Sequence, residues 1–146
     1  MPSVRGCNLP DDLLYDVDNH IWFSEVGDGT VKIGMTTVAT AMAGKLVAFT
    51  PKRVGRSVRA GKSCGTLESG KWVGPAKSAA GGEVVAVNDA MVNEPSIANA
   101  DPYEAGWLLI LRPEDWDSVK ATLVVGTDVA APYEAKMDSE GFGGCE

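Results

Sequence analysis

Every apolar run in this chain is short, and nearly all of them end at or beside a glycine or a proline. With 17 Gly and 8 Pro spread over 146 residues, few stretches can sustain a long helix, whereas short apolar segments bounded by turn residues suit strands. The chain therefore reads as mainly β. Candidate strands are Leu14 to Val17, His20 to Val26, Thr30 to Ile33, Leu46 to Thr50, Cys64 to Glu68, Trp72 to Lys77, Gly82 to Val87 and Trp107 to Leu111. Gly27-Asp28-Gly29 is a hairpin signal between two of them. A short helix is expected from Thr36 to Ala43, with Thr36 as its N-cap and Gly44 just past its end. A second is expected to begin near Arg112. There Pro113 suits a helix start, Glu114 and Asp115 favour its N-terminal dipole, and Val119 and Leu123 share a face.

The length fits one domain, and 45% hydrophobic residues can fill a single core. That domain is assigned to residues 1–134, followed by a flexible, glycine-containing tail over 135–146. A net charge of -7 opposes nucleic-acid binding, which needs clustered Lys and Arg to displace counterions. It suits protein partners that carry basic docking patches instead. No run approaches the roughly 18 apolar residues of a membrane span, and Met1 to Asp11 lacks a basic-then-apolar signal layout. The expected location is cytoplasmic, without a membrane partner.

Three cysteines, Cys7, Cys64 and Cys145, are too few and too scattered for a disulfide framework, and no zinc spacing appears. Cys64 reads as a small core residue. Cys7 and Cys145 lie near opposite chain ends in glycine-containing contexts. Two readings stand for them: exposed spectator thiols, or redox thiols that exchange with a bound dithiol.

The most informative stretch runs from Cys64 to Asn88. Two strands flank the polar turn Glu68-Ser69-Gly70-Lys71 and lift Lys71 into solvent, where a modifying enzyme can reach the amine while the hairpin holds its base. A second turn, Gly81-Gly82-Glu83, lies on the far side of the following strand. Lys62 and Lys77 are the competing amines, and both read as surface residues.

From about Leu9 to Tyr133 the chain resembles the H proteins of the glycine cleavage system and their lipoyl-carrier relatives. The segments that carry the resemblance are His20-Ile21-Trp22, Val31-Lys32-Ile33-Gly34-Met35-Thr36, Glu68-Ser69-Gly70-Lys71, Gly82-Glu83-Val84-Val85-Ala86-Val87-Asn88 and Asn99-Ala100-Asp101-Pro102-Tyr103-Glu104-Ala105-Gly106-Trp107-Leu108, in that order. The resemblance implies a lipoyl-domain-like β-sandwich (a barrel-sandwich hybrid) with short flanking helices. It also implies a lipoate joined by an amide to Lys71 and a carrier with no active site of its own. Implied partners are a lipoate-attaching enzyme, glycine decarboxylase, aminomethyltransferase and dihydrolipoamide dehydrogenase. Glu68, three residues before the lysine, either helps the attaching enzyme recognise the turn or is merely solvated.

Some positions depart from the family pattern. A glutamate of the His-Glu-Trp motif, a histidine at the helix start and polar residues after the lysine are replaced here by Ile21, Val38 and Gly74-Pro75. A protonated aminomethyl group needs such polar partners, because burying an unpaired amine costs several kcal/mol. Trp72 stands where a small residue is usual, either walling the foot of the arm or packing on a neighbouring strand. Glu-Ser-Gly-Lys-Trp-Val-Gly-Pro looks like the lipoate-binding proteins that accompany the heterodisulfide-reductase-like complex of sulfur-oxidising prokaryotes. That likeness implies an arm that shuttles sulfur-containing intermediates and electrons. The aminomethyl carrier of glycine cleavage is the alternative, and an unmodified interaction module a further one. The single histidine, His20, reads as lying on a strand beside Ile21 and Trp22, a packed or edge residue rather than a general base.

Overall fold

Ile21, Trp22 and Phe23 follow one another in one strand and all three are buried, so this strand faces a core on each side. The computed structural model describes residues 3–145. Its strands are β1 (Ser3–Val4), β2 (Cys7–Asn8), β3 (Leu14–Asp16), β4 (Ile21–Glu25), β5 (Val31–Met35), β6 (Leu46–Pro51), β7 (Ser57–Val58), β8 (Lys62–Ser69), β9 (Val73–Ser78), β10 (Gly82–Val87), β11 (Leu109–Pro113) and β12 (Val124–Val125). The helices are α1 (Thr37–Ala43), α2 (Asp89–Asn93), α3 (Ile97–Ala100), α4 (Trp116–Lys120) and α5 (Ala130–Glu140). Seven strands form one antiparallel sheet in the order β12-β3-β4-β5-β11-β10-β7; β6-β8-β9 form a second and β1-β2 a small third.

The main core fills the space between the two larger sheets. Ile21 and Phe23 of β4 and Ile33 of β5 meet Leu46 and Phe49 of β6 and Leu67 of β8 there. The other face of β4 and β5 is covered by the N-terminal segment, α1 and α5, giving a second cluster around Trp22, Tyr15, Val38 and Tyr133. Trp22 pairs with Gly34 across the β4–β5 ladder, and a Cβ on Gly34 would collide with the indole ring. Only glycine leaves room for the ring at this position, which is why the Val-Lys-Ile-Gly-Met run interrupts an apolar strand with a residue of low β propensity. The indole N–H of Trp22 donates to the carbonyl of Pro102 at 3.0 Å.

All eight expected strands are present, with ends displaced by at most two residues. Helix α1 is capped as its sequence predicts, with the Ala39 N–H donating to Thr36 Oγ1 at 3.3 Å and Gly44 at its end in a positive-φ conformation. The mainly β sandwich with short flanking helices is thus the observed fold.

Four expectations are corrected. Pro113 does not open a helix: it closes β11, opposite Gly82 of β10, and α4 starts three residues later. Long-range strand pairing outweighs the local helix-start signal, although Val119 and Leu123 do pack on the core. His20 lies just before β4 with φ 59°, not within the strand. The tail from Ala135 is not free, because α5 continues to Glu140 with Tyr133 and Met137, one turn apart, fully buried. Cys7 and Cys145 are not exposed thiols. Cys7 is fully buried and the two form a disulfide, with the Cys145 N–H donating to the Arg5 carbonyl at 3.0 Å. Their distance in sequence hid the pairing. Cys64 is buried and free, as expected, and burial pushes its thiol up to about 12.

The disulfide closes a loop over a separation of 138 residues. Replacing both cysteines by serine is expected to cost about 2–4 kcal/mol of stability, read as a lower denaturant midpoint with a steeper slope, because the unfolded chain without the crosslink exposes more surface. An unchanged midpoint would show that the crosslink does not constrain the unfolded chain.

Candidate functional site

The β8–β9 hairpin turns through Gly70 and Lys71. The Ser69 N–H donates to the Trp72 carbonyl at 2.7 Å, and buried Ser69 Oγ accepts from the Lys71 N–H at 3.3 Å. These bonds fix the turn while Lys71 itself stays exposed. Its side chain runs beside the end of α1, where a Cβ on Gly44 would come within 3.1 Å of Lys71 Cε. Gly44 therefore serves twice, supplying the positive φ of 81° that ends α1 and the space in which the lysine stem lies. Asn99 holds this corner. Its side-chain oxygen accepts from the Leu46 N–H at 2.9 Å and its amide donates to the Gly44 carbonyl at 2.8 Å. Among the described residues Lys71 is in no ion pair.

A cleft of about 280 Å³ opens beside the hairpin. Its walls are Met35, Ala39, Met42 and Ala43 on one side and Leu67, Trp72, Pro75 and Ala76 on the other, with Ile21 between them. Asn19, His20 and Glu140 supply its polar groups. Trp72 is 38% exposed, and its ring covers Gly74, where a Cβ would collide with it. Trp72 lines the cleft, and the contact its ring makes with Gly74 is with its own chain segment, two residues on, not with a neighbouring strand. Glu68 is exposed on β8, opposite Val73 of β9 and Ala48 of β6. Lys62 and Lys77 are exposed too, but at the far end of the hairpin from Lys71. Cys7 and Cys145 join the termini and do not line the cleft.

Of the positions that depart from the family pattern, Ile21 and Pro75 line the cleft. Val38 does not. It is buried in the second cluster, and the residues α1 turns into the cleft are Ala39, Met42 and Ala43. The end of α5 brings to the cleft Glu140, a carboxylate that Ile21, Val38 and Gly74-Pro75 do not supply. The pattern of local motifs held no signal for this, because Glu140 lies 120 residues from its partner.

That partner is His20. Its ring stacks on Tyr133 with centroids 5.6 Å apart, its Nε2 lies 2.8 Å from Glu140 Oε1, and its Nδ1 lies 2.9 Å from the Tyr133 hydroxyl. Neutral His20 satisfies all the bonds in the chain: Nε2–H donates to Glu140, Nδ1 accepts from Tyr133, and Tyr133 accepts from Thr36 at 2.8 Å. The cleft is thereby wired to the N-cap of α1. Burial lowers the His20 pKa, outweighing the opposing pull of Glu140, while Lys136 lowers it further and Asp16 raises it. Because the folded value lies below the unfolded one, the unfolded chain binds more protons on acidification. The stability His20 contributes is present above its ordinary value of 6.5 and is lost as pH falls below it. Melting curves through this range are expected to show falling stability that His20→Gln flattens; an equal slope in that variant would contradict the assignment.

The fold and this site define a class of small β domain that presents one lysine at a hairpin tip beside an apolar cleft. Comparison with known proteins agrees. The family model described as glycine cleavage H-protein matches residues 13–136, and the chain belongs to that family. It is 44% identical to glycine cleavage system H protein 5 of Aquifex aeolicus over 97% of each chain. It is 34% identical to the probable glycine cleavage system H protein 2 of Sulfurisphaera tokodaii, covering 96% of this chain and 95% of that one. The solved glycine cleavage system H protein from Mycobacterium marinum superposes with a TM-score of 0.73 at 34% identity, covering 91% of this chain and 99% of that one. Among the described residues no helix is long and apolar enough to cross a membrane.

Proposed function

We propose that this protein is a lipoyl carrier, modified on Lys71 by a lipoate-attaching enzyme, with no catalytic activity of its own. The observation that carries the reading is Lys71 itself, exposed on a hydrogen-bonded two-residue turn next to an apolar cleft. An acyl chain ending in a dithiolane fits that donor set: the amine is accessible for amide formation, and the walls beside it are aliphatic and aromatic. Once bound, lipoate supplies a disulfide that accepts two electrons and a transferable group. The chain's own residues supply the rest. The turn fixes the base of the arm, Gly44 and Asn99 set the path of the lysine stem, and Trp72 and Pro75 form an apolar wall beside it.

Membership of the glycine cleavage H-protein family supports glycine cleavage as the pathway, with glycine decarboxylase, aminomethyltransferase and dihydrolipoamide dehydrogenase as partners. A second reading has one observation in its favour. Ile21, Met42 and Pro75 give the cleft apolar surfaces, and Glu140 already accepts from His20, so a neutral sulfur cargo would be better matched than a protonated amine. Under that reading the arm serves a heterodisulfide-reductase-like complex. No comparison favours it, since each relative above is named as a glycine cleavage H protein. Incubating the lipoylated protein with glycine decarboxylase and glycine separates the two. An aminomethyl adduct on the arm, read by mass, supports glycine cleavage. No adduct on the oxidised arm, together with uptake of sulfur from a sulfane donor by the thiolate of the chemically reduced, dihydrolipoyl arm, supports the second reading.

A further inference from the structure

Although the chain is acidic overall, no Asp or Glu occurs between Asp28 and Glu68. Within that interval Lys52, Arg53, Arg56, Arg59 and Lys62 fall in eleven residues and account for five of the 13 Lys and Arg. All five are exposed. Among the described residues none of them takes part in an ion pair, whereas Arg5, Arg112, Lys120 and Lys136 all do. Their charge is thus not spent on the fold.

The segment that carries them crosses from the three-stranded sheet to the edge of the seven-stranded one, and its backbone is tied down. The Lys52 N–H donates to the Cys64 carbonyl at 3.0 Å, and the Gly55 N–H to the Val84 carbonyl at 2.8 Å. The Arg56 carbonyl accepts from Val84 at 2.9 Å, and the Gly61 N–H donates to the Ser78 carbonyl at 2.6 Å. Val58, in the middle, is buried in the main core, while Val54 is 60% exposed between Arg53 and Arg56. A basic surface on fixed backbone, with one apolar side chain at its centre, loses little order when a partner settles on it.

We propose that this surface docks an acidic face of a partner protein. The position fits that use. Lys62 opens β8, and Lys71 lies beyond its other end, so an eight-residue strand puts the two roughly 25 Å apart. A partner held here leaves the hairpin tip free, anchoring the carrier at one end while the lysine at the other visits active sites. An acidic protein is favoured over an extended polyanion. The Debye length is about 8 Å at physiological salt, so a localised carboxylate patch meets only the basic segment. A nucleic acid or an anionic membrane would also meet the rest of the chain, to which all 20 Asp and Glu belong. The proposal does not depend on modification of Lys71.

The test uses the full chain and a labelled short peptide of Glu and Asp with a central Leu, followed by fluorescence anisotropy. The variant R53A/R56A/R59A is compared with R112A/K120A/K136A, which removes the same charge elsewhere. Saturable binding that falls about tenfold or more in the first variant, stays within about twofold in the second and fades with added salt is the expected result. Equal loss in both variants would overturn the proposal by reducing it to net charge. Tighter binding of a DNA duplex or of phosphatidylserine vesicles than of the peptide would overturn it in favour of those surfaces. Self-association of the native chain in sedimentation, abolished by the first variant, would make a second copy the occupant and overturn it as well. Melting curves of both variants establish that each is folded.

Discussion

Lys71→Arg is expected to abolish lipoylation and with it all carrier activity, while leaving the melting temperature where it was. The reasoning rests on what the side chain does and does not touch. Lys71 is exposed and outside both core clusters, and the turn beneath it is held by backbone and Ser69 bonds that do not involve its amine. Arginine keeps the positive charge and most of the aliphatic stem, so it tests the chemistry of the amine alone. A guanidinium stays protonated and is not an acyl acceptor. Incubation with a lipoate-attaching enzyme and lipoate should therefore add a lipoyl group to the native chain and none to the variant. Lipoylation of the variant at another lysine, Lys62 or Lys77 for example, would show that the hairpin tip does not direct the modification.

Trp22→Ala should have the largest effect on stability, a loss of about 3–5 kcal/mol. Three features add to the cost. The ring is fully buried in the second core cluster, it fills the space above Gly34, and its N–H satisfies the Pro102 carbonyl. No neighbour can collapse into the space, since Gly34 has no side chain and β4 is held by β3 and β5 on either side. For a domain of this size such a loss amounts to a sizeable part of the whole folding free energy. Urea unfolding gives the number directly, and a loss under about 1 kcal/mol would mean that the site repacks or takes up water.

Much of this architecture is readable from local residue patterns because the strands are short and strictly bounded. Thr36 and Gly44 mark both ends of α1, and Gly27-Asp28-Gly29 marks the β4–β5 hairpin, where the Asp28 carboxylate accepts from the Thr30 N–H and hydroxyl. Glu68-Ser69-Gly70-Lys71 places the exposed lysine. What escapes such patterns depends on partners distant in the chain. Helices α2 and α3, five and four residues long, are too short to show a helical period. The glycines near the C-terminus suggest mobility, yet α5 docks through Tyr133 and Met137 and is tied by the Cys7–Cys145 bond. Glu140 reaches the cleft only because of that docking. Asn99 has no local signature of its role, and its two bonds to the Gly44–Leu46 corner appear only once α3 is folded against it. Local chemistry therefore reveals the lysine and its turn, while the long-range contacts decide which residues surround the cleft.

The account stands most directly on the state of Lys71 in the cell. Intact and peptide mass spectrometry of the protein isolated from its native host reads that state without any assay of function. A lipoyl adduct confined to the peptide that contains Lys71 is the predicted result. An unmodified Lys71 in lipoate-replete cells would contradict the carrier assignment and leave an interaction module as the reading that survives.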